Sequence, residues 1–300
     1  MSDDPSTGLS EQDPAKGQSR IALAIEYDGA SFSGWQRQTA AGVAGDSAVA
    51  TVQQEVEKAL SKVAAHSVSV TCAGRTDAGV HATSQVVHFD CKQNRGEKAW
   101  TRGVNSLLPR SIRVLWAREV GEAFNARFTA QARRYHYVIY TRKQASAILY
   151  GRVTHVPFEL DVEAMNSAAQ ALVGEQDFTS FRAAGCQSST PNRNVHKVVV
   201  SAHRDFVLVD IEANAFLQHM VRNIVGSLLV IGRGLKPVTW IRDLLELRNR
   251  CEAAMTAAPH GLYLVQVIYP AAYGLPAGAK APPFVALDSP SSVSSCTLQE

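Results

Sequence analysis

Hydrophobic spacing along the chain switches between the strand period of two and the helical period of three to four, and it does so in both halves. In the first half, Arg20 to Tyr27 reads as a strand. Ser47 to Ala64 reads as a helix with Val52, Val56, Ala59, Leu60 and Val63 on its apolar face and Glu55, Glu57, Lys58 and Lys62 outside. Strands are expected around residues 67–73 and 84–90, because Val68-Ser69-Val70-Thr71 alternates and Val86, Val87 and Phe89 make a second apolar run. Lys98 to Leu107 reads as a helix stopped by Pro109, and residues 112–119 as a strand around Val114, Leu115 and Trp116.

The second half repeats the scheme. Arg133 to Tyr140 is a strand with Tyr135, Tyr137 and Ile139 on one face and His136, Val138 and Tyr140 on the other. A helix over Asp161 to Val173, capped by Asp161, is followed by a polar loop from Phe181 to Arg193. Strands over Val195–Ser201 and Phe206–Ala213 then lead into helices over Phe216–Ile231 and Val238–Leu247 and a last strand over Tyr263–Tyr269. This order predicts an α+β fold, two lobes with mainly antiparallel sheets flanked by helices. The expected boundaries are 20–128 and 129–270. Before them lies a Ser/Asp/Gly/Pro-rich extension, 1–19, read as disordered. After them comes a Pro/Ala/Ser-rich tail, 271–300, in which only Pro283-Phe284-Val285 looks fit to dock.

Between the strands at 67–73 and 84–90 lies Cys72-Ala73-Gly74-Arg75-Thr76-Asp77-Ala78-Gly79-Val80-His81-Ala82. Asp77 therefore sits on a tight turn, flanked by Gly74 and Gly79 where the backbone must bend or come close to a neighbour. Two readings are open from the residues alone. An Asp can cap such a turn through its own backbone. Alternatively, a carboxylate two residues from the cation Arg75 is kept ionised and serves as nucleophile or base.

Composition narrows the chemistry. With 46% hydrophobic residues over 300, the chain fills a real core, yet no apolar run reaches the roughly 18 residues of a membrane span. The first residues are acidic and polar, which predicts no secretory signal. Five widely spaced cysteines without a Cys-x-x-Cys pair argue against a disulfide framework or a zinc site, and a reducing, cytoplasmic compartment fits best. No metal-ligand motif, phosphate loop or dinucleotide fingerprint is present, so a reaction needing no cofactor and no metal is expected.

Residues 1–19 carry a net charge of −3 and residues 273–300 of −1, which leaves +7 on residues 20–272 against +3 for the whole chain. Arg127 to Arg152 holds six basic residues and no acid, interleaved with Tyr135, Tyr137 and Tyr140, and Arg182 to Arg204 again has no carboxylate. Such stripes are the footprint of a polyanionic partner.

The motifs then fall into an order. Gly74-Arg75-Thr76-Asp77-Ala78-Gly79-Val80-His81 resembles the catalytic motif of the TruA family of tRNA pseudouridine synthases. The likeness continues through Tyr27-Asp28-Gly29, Gly34-Trp35-Gln36-Arg37-Gln38, Ala126-Arg127-Phe128, Ala132-Arg133-Arg134-Tyr135, Asp177-Phe178-Thr179-Ser180-Phe181, His219-Met220-Val221-Arg222-Asn223 and Gly261-Leu262-Tyr263-Leu264. The loop at 39–45 looks longer than the family pattern, and Ser84 stands where glycine is common.

The resemblance implies the pseudouridine synthase fold, with a basic catalytic cleft between the lobes. It also implies isomerisation of uridine to pseudouridine at positions 38, 39 and 40 of the tRNA anticodon stem-loop, in a homodimer. By that likeness Asp77 acts at the sugar, Tyr135 stacks on the uracil with its hydroxyl as the candidate base for the C5 proton, and Arg222 pairs with Asp77. Leu264 lines the base pocket, Arg75 flips the base, and Arg95, Phe124, Arg127, Phe128 and Gln187 lie at or in segments that touch tRNA. Two rival readings stand beside it. A non-catalytic RNA-binding relative would be free to lose Asp77, Tyr135 or Arg222. A glycoside hydrolase would need a second carboxylate near the motif.

Overall fold

One sheet runs through both halves of the chain in the computed structural model, which describes residues 18–37, 50–276, 278 and 280–286. The N-terminal residues up to 17 and the Ala/Gly-rich loop 39–45 lie outside the described residues. In chain order the elements are β1 (Ser19–Tyr27), α1 (Val52–Ala64), β2 (Thr71–Cys72), β3 (His81–Cys91), β4 (Ile112–Val120), β5 (Ala132–Tyr140) and β6 (Thr154–His155). They continue with α2 (Val162–Ala169), β7 (Gly174–Asp177), β8 (Asn192–His203), β9 (Phe206–Ala213), α3 (Met220–Gly232), α4 (Trp240–Leu247), β10 (Leu262–Ile268) and a single turn, α5 (Pro283–Ala286).

The strand order is β4-β1-β3-β10-β5-β9-β8-β7, with β2 added to β3 and β6 to β5. Pairing is antiparallel except for β10 with β3 and β5 with β6. The expected mainly antiparallel α+β architecture is therefore present, as a sheet shared by the two halves. Late strand β10 joins them, pairing Leu264 with Ala82 on one side and with Tyr135 on the other.

Side-chain alternation decides the two faces. Leu23, Ile25, Val87, Phe89, Tyr135, Tyr137, Val209 and Ile211 pack with the apolar sides of α1, α2, α3 and α4 into one large core. The opposite face is covered in two patches. Ala22, Ala24, Trp116 and Phe124 form one, while Val138, Tyr263 and Val265 form the other beneath Phe284 and Val285 of the tail. Phe284 packs against Phe206 and Tyr263, so the apolar tripeptide does dock.

Helix α1 starts at a capping box, with Thr51 and Gln54 satisfying each other's backbone amides. Glu57, expected on its outer side, is buried instead. Its Oε1 accepts from the Val70 amide at 3.0 Å and from Gln53 Nε2 at 2.9 Å, tying the helix to the strand that leads into the Asp77 turn. Strand β7 was not expected; it is short and polar and lies at the sheet edge. The expected helix after Lys98 contains a π-helical stretch, Ala99–Gly103.

Candidate active site

The Asp77 turn is held from three sides before any ligand is considered. From beneath, the buried amide of Gln85 on β3 donates to the Gly74 carbonyl at 2.5 Å and accepts from the Gly74 amide at 3.4 Å. Beside it, Tyr27 shares a hydrogen bond with Thr76 Oγ1 at 2.7 Å, and the Trp35 amide donates to the Thr76 carbonyl at 3.0 Å. Within the turn, the Val80 amide donates to the Asp77 carbonyl at 3.1 Å, and Gly79 takes φ +77°.

Close approach explains two further glycines. A Cβ on Gly29 would lie 1.9 Å from the Val80 carbonyl oxygen, and one on Gly34 (φ +86°) 2.8 Å from the Thr76 carbonyl oxygen. The motifs around Tyr27 and Trp35 are thus the bed on which the turn rests.

Asp77 faces helix α3. Arg222 Nη1 lies 3.3 Å from Asp77 Oδ2, and His219 Nε2 lies 3.4 Å from the same oxygen. Arg222 is itself anchored by its Nε, which donates to the Ala257 carbonyl at 2.8 Å. The carboxylate side chain is 30% exposed and the guanidinium 14%, so the pair is half-withdrawn from water and each charge needs the other.

The cleft beside this pair has a volume of about 960 Å³. Arg75, Arg127, Arg133, Arg193 and Arg222 line it, and among the described residues Asp77 is its only lining carboxylate. With one acid among five arginines, the cleft suits a polyanion and leaves a glycoside hydrolase without a second carboxyl group. Arg133 spends its donors on the carbonyls of Ala73, Ala130, Asn214 and Arg127, bracing the cleft floor without neutralising its charge.

Tyr135 lines the cleft on the helix side of β5, edge-to-face with Phe216 at 5.1 Å. Its hydroxyl has no hydrogen-bond partner among the described residues. Burial pushes this phenol well above its ordinary value; Arg133 opposes the shift and Asp77 adds to it. The Tyr135 ring faces the cleft, where the expected stacking partner and candidate base for the C5 proton has to stand.

Of the other expected site residues, Arg75 and Gln187 are exposed on the cleft wall, and Arg127 lines its far end. Phe128 stands 77% exposed beside Arg127, whose guanidinium lies 5.4 Å from the ring centre. The other three lie elsewhere. Phe124 is fully buried against Tyr269 and Tyr273. Arg95 lies away from the cleft, donating to the Ala64 carbonyl at the end of α1. Leu264 is fully buried across from Tyr135 in the ladder, and Leu262, two residues earlier, lines the cleft.

His219 and Phe216 join the site without having been singled out, although the basic stripe signalled Arg193 and Arg133. Among the described residues no three His, Cys, Asp or Glu side chains converge as a metal-ligand set, and no helix is long and apolar enough to cross a membrane.

The family model for tRNA pseudouridine synthases matches residues 23–129 and 168–270, and the chain belongs to that family. Its relatives include the tRNA pseudouridine synthase A of Shewanella amazonensis, 58% identical over 266 residues, which cover 89% of this chain and 99% of the relative. Proteins of the same name from Shewanella sp. strain MR-4 and Shewanella baltica strain OS155 are 58% and 57% identical over equal spans.

Proposed function

We propose that this chain isomerises uridine to pseudouridine in tRNA, at positions 38, 39 and 40 of the anticodon stem-loop, as a cytoplasmic homodimer. The observation that carries the reading is Asp77: one carboxylate, clamped by Arg222 and His219, between a buried tyrosine and a wall of arginines. Similarity to relatives named tRNA pseudouridine synthase A supports the substrate class.

The reaction breaks the N1–C1′ bond, turns the base, joins C5 to C1′ and moves the C5 proton to solvent while N1 takes one up. Nothing is oxidised and no group is carried in. Extruding the uridine costs a few kcal/mol of lost stacking, which the Tyr135 ring offsets by stacking on the freed base. Asp77 acts at the sugar, either by attacking C1′ or by taking the C2′ proton. Both routes need it ionised, and Arg222 stands beside it as the counter-charge. Arg75, exposed beside the turn, fills the space the base leaves, and Arg127 and Gln187 hold the flanking strand; their position on the cleft wall supports these roles.

Tritium release from C5-labelled uridine in unmodified tRNA tests this reading against the non-catalytic alternative. Release by the wild type and none by Asp77→Asn is expected. Retained tRNA binding without release by either protein would make it a binding module. A light-scattering mass of one 32.4 kDa chain would refute the dimer.

A further inference from the structure

We propose that His219 is a positioning residue for Asp77: with Arg222 it immobilises oxygen Oδ2 and leaves Oδ1 as the oxygen that meets the sugar. The inference rests on the pseudouridine synthase reading of the cleft and adds to it the identity of the reacting atom.

The backbone is the first observation. His219 precedes α3 in the left-handed region, at φ 61° and ψ 4°. Non-glycine residues are uncommon there, and a residue at the start of a helix ordinarily uses its side chain to cap the first turn. The His219 side chain makes no capping hydrogen bond. Its ring lies in the cleft, 32% exposed, with Nε2 at 3.4 Å from Asp77 Oδ2. An uncommon backbone conformation is thus kept by a side chain that does nothing for its own helix.

The second observation is the asymmetry at the carboxylate. His219 and Arg222, three residues apart, share one side of the chain as it enters α3, and both reach Oδ2. Among the described residues no donor reaches Oδ1. A carboxylate gripped through both oxygens would have its lone pairs committed to the protein. Held through one, by the Arg222 hydrogen bond with an imidazole alongside, it is turned one way while the other oxygen stays open to substrate. Arg222 alone gives one hydrogen bond at 3.3 Å, about which the carboxylate can still swing, and the imidazole at 3.4 Å from the same oxygen restricts that swing.

Two substitutions separate this role from a backbone role. His219→Gly fits the left-handed conformation better than histidine does and removes the ring, whereas His219→Gln returns an N–H near the place of Nε2. For H219G the expected result is a melting temperature at or above that of the wild type and tRNA affinity within twofold. Its single-turnover tritium release should be slower by about threefold to tenfold, the range of a modest polar contact, since the imidazole stands 3.4 Å from a partly exposed Asp77. H219Q should recover most of that rate. Wild-type rates in H219G, a loss confined to tRNA affinity, or an H219Q no faster than H219G would each overturn the assignment while the reaction itself stood. A wild-type protein that binds tRNA and releases no tritium would instead overturn the reading on which the assignment rests.

Discussion

Replacing Gly29 with alanine should damage catalysis from outside the cleft, because its missing Cβ is what lets the Asp77 turn close. A methyl group there would sit 1.9 Å from the Val80 carbonyl oxygen, where real contacts are essentially never under 3.0 Å, so the two segments must part by at least 1.1 Å. Little slack exists to absorb this. Val80 is buried and its amide is bonded to the Asp77 carbonyl, while the Gly29 amide is packed against His81 Nδ1 at 3.1 Å.

Overpacking of this kind costs about 1–3 kcal/mol, a fall in melting temperature of roughly 3–10 °C. A shift of about 1 Å at the carboxylate costs on the order of a hundredfold in rate. Single-turnover tritium release well below the melting temperature, with tRNA saturating, separates the two effects. Gly121→Ala is the control, since a Cβ at Gly121 meets nothing within 4 Å. If G29A matches G121A in both melting temperature and rate, the claim that the Tyr27-Asp28-Gly29 motif positions Asp77 is wrong.

Two further outcomes are expected. Arg75→Ala and Arg127→Ala should each weaken tRNA binding and flatten the plot of log affinity against log salt by about 0.7–0.9, measured by filter binding, with folding unchanged. Asp28 is held at about 2, chiefly by its hydrogen bond with His81, with burial opposing and the Ala30 amide and Arg152 assisting. Its ordinary value is 3.8, so below that the unfolded chain takes up the proton more readily than the folded one. The stability Asp28 contributes is therefore complete above pH 4 and drains away as the pH falls toward 2. Asp28→Asn should lose less stability over that interval in acid unfolding, by about 1 kcal/mol once screening of its exposed third is discounted.

Much of this architecture could be read from residue spacing. The two faces of β5 follow from strict alternation, and the motif order from Tyr27 onward located the turn, the tyrosine and the arginine that the fold brings together. What spacing missed has identifiable causes. Gly174-Glu175-Gln176-Asp177 carries no apolar alternation because β7 is an edge strand with little to bury. The helix expected from Phe216 starts at Met220, since left-handed His219 interrupts an apolar run that looks continuous in one dimension. Glu57 reads as solvent-facing until the partners folded over it are known. Leu262 and Leu264 share a face of β10, and only the third dimension tells which of them reaches the opening.

The placement of β10 reaches beyond catalysis to how the molecule is made. Its seven residues, near the end of the chain, fill the slot between strands synthesised long before them. Until residue 268 has left the ribosome, β3 and β5 each present an unsatisfied ladder of backbone groups to the surroundings. The half-built protein passes through a stage prone to mispairing, and Leu262 and Tyr135 come to line one chamber only when that strand slots home.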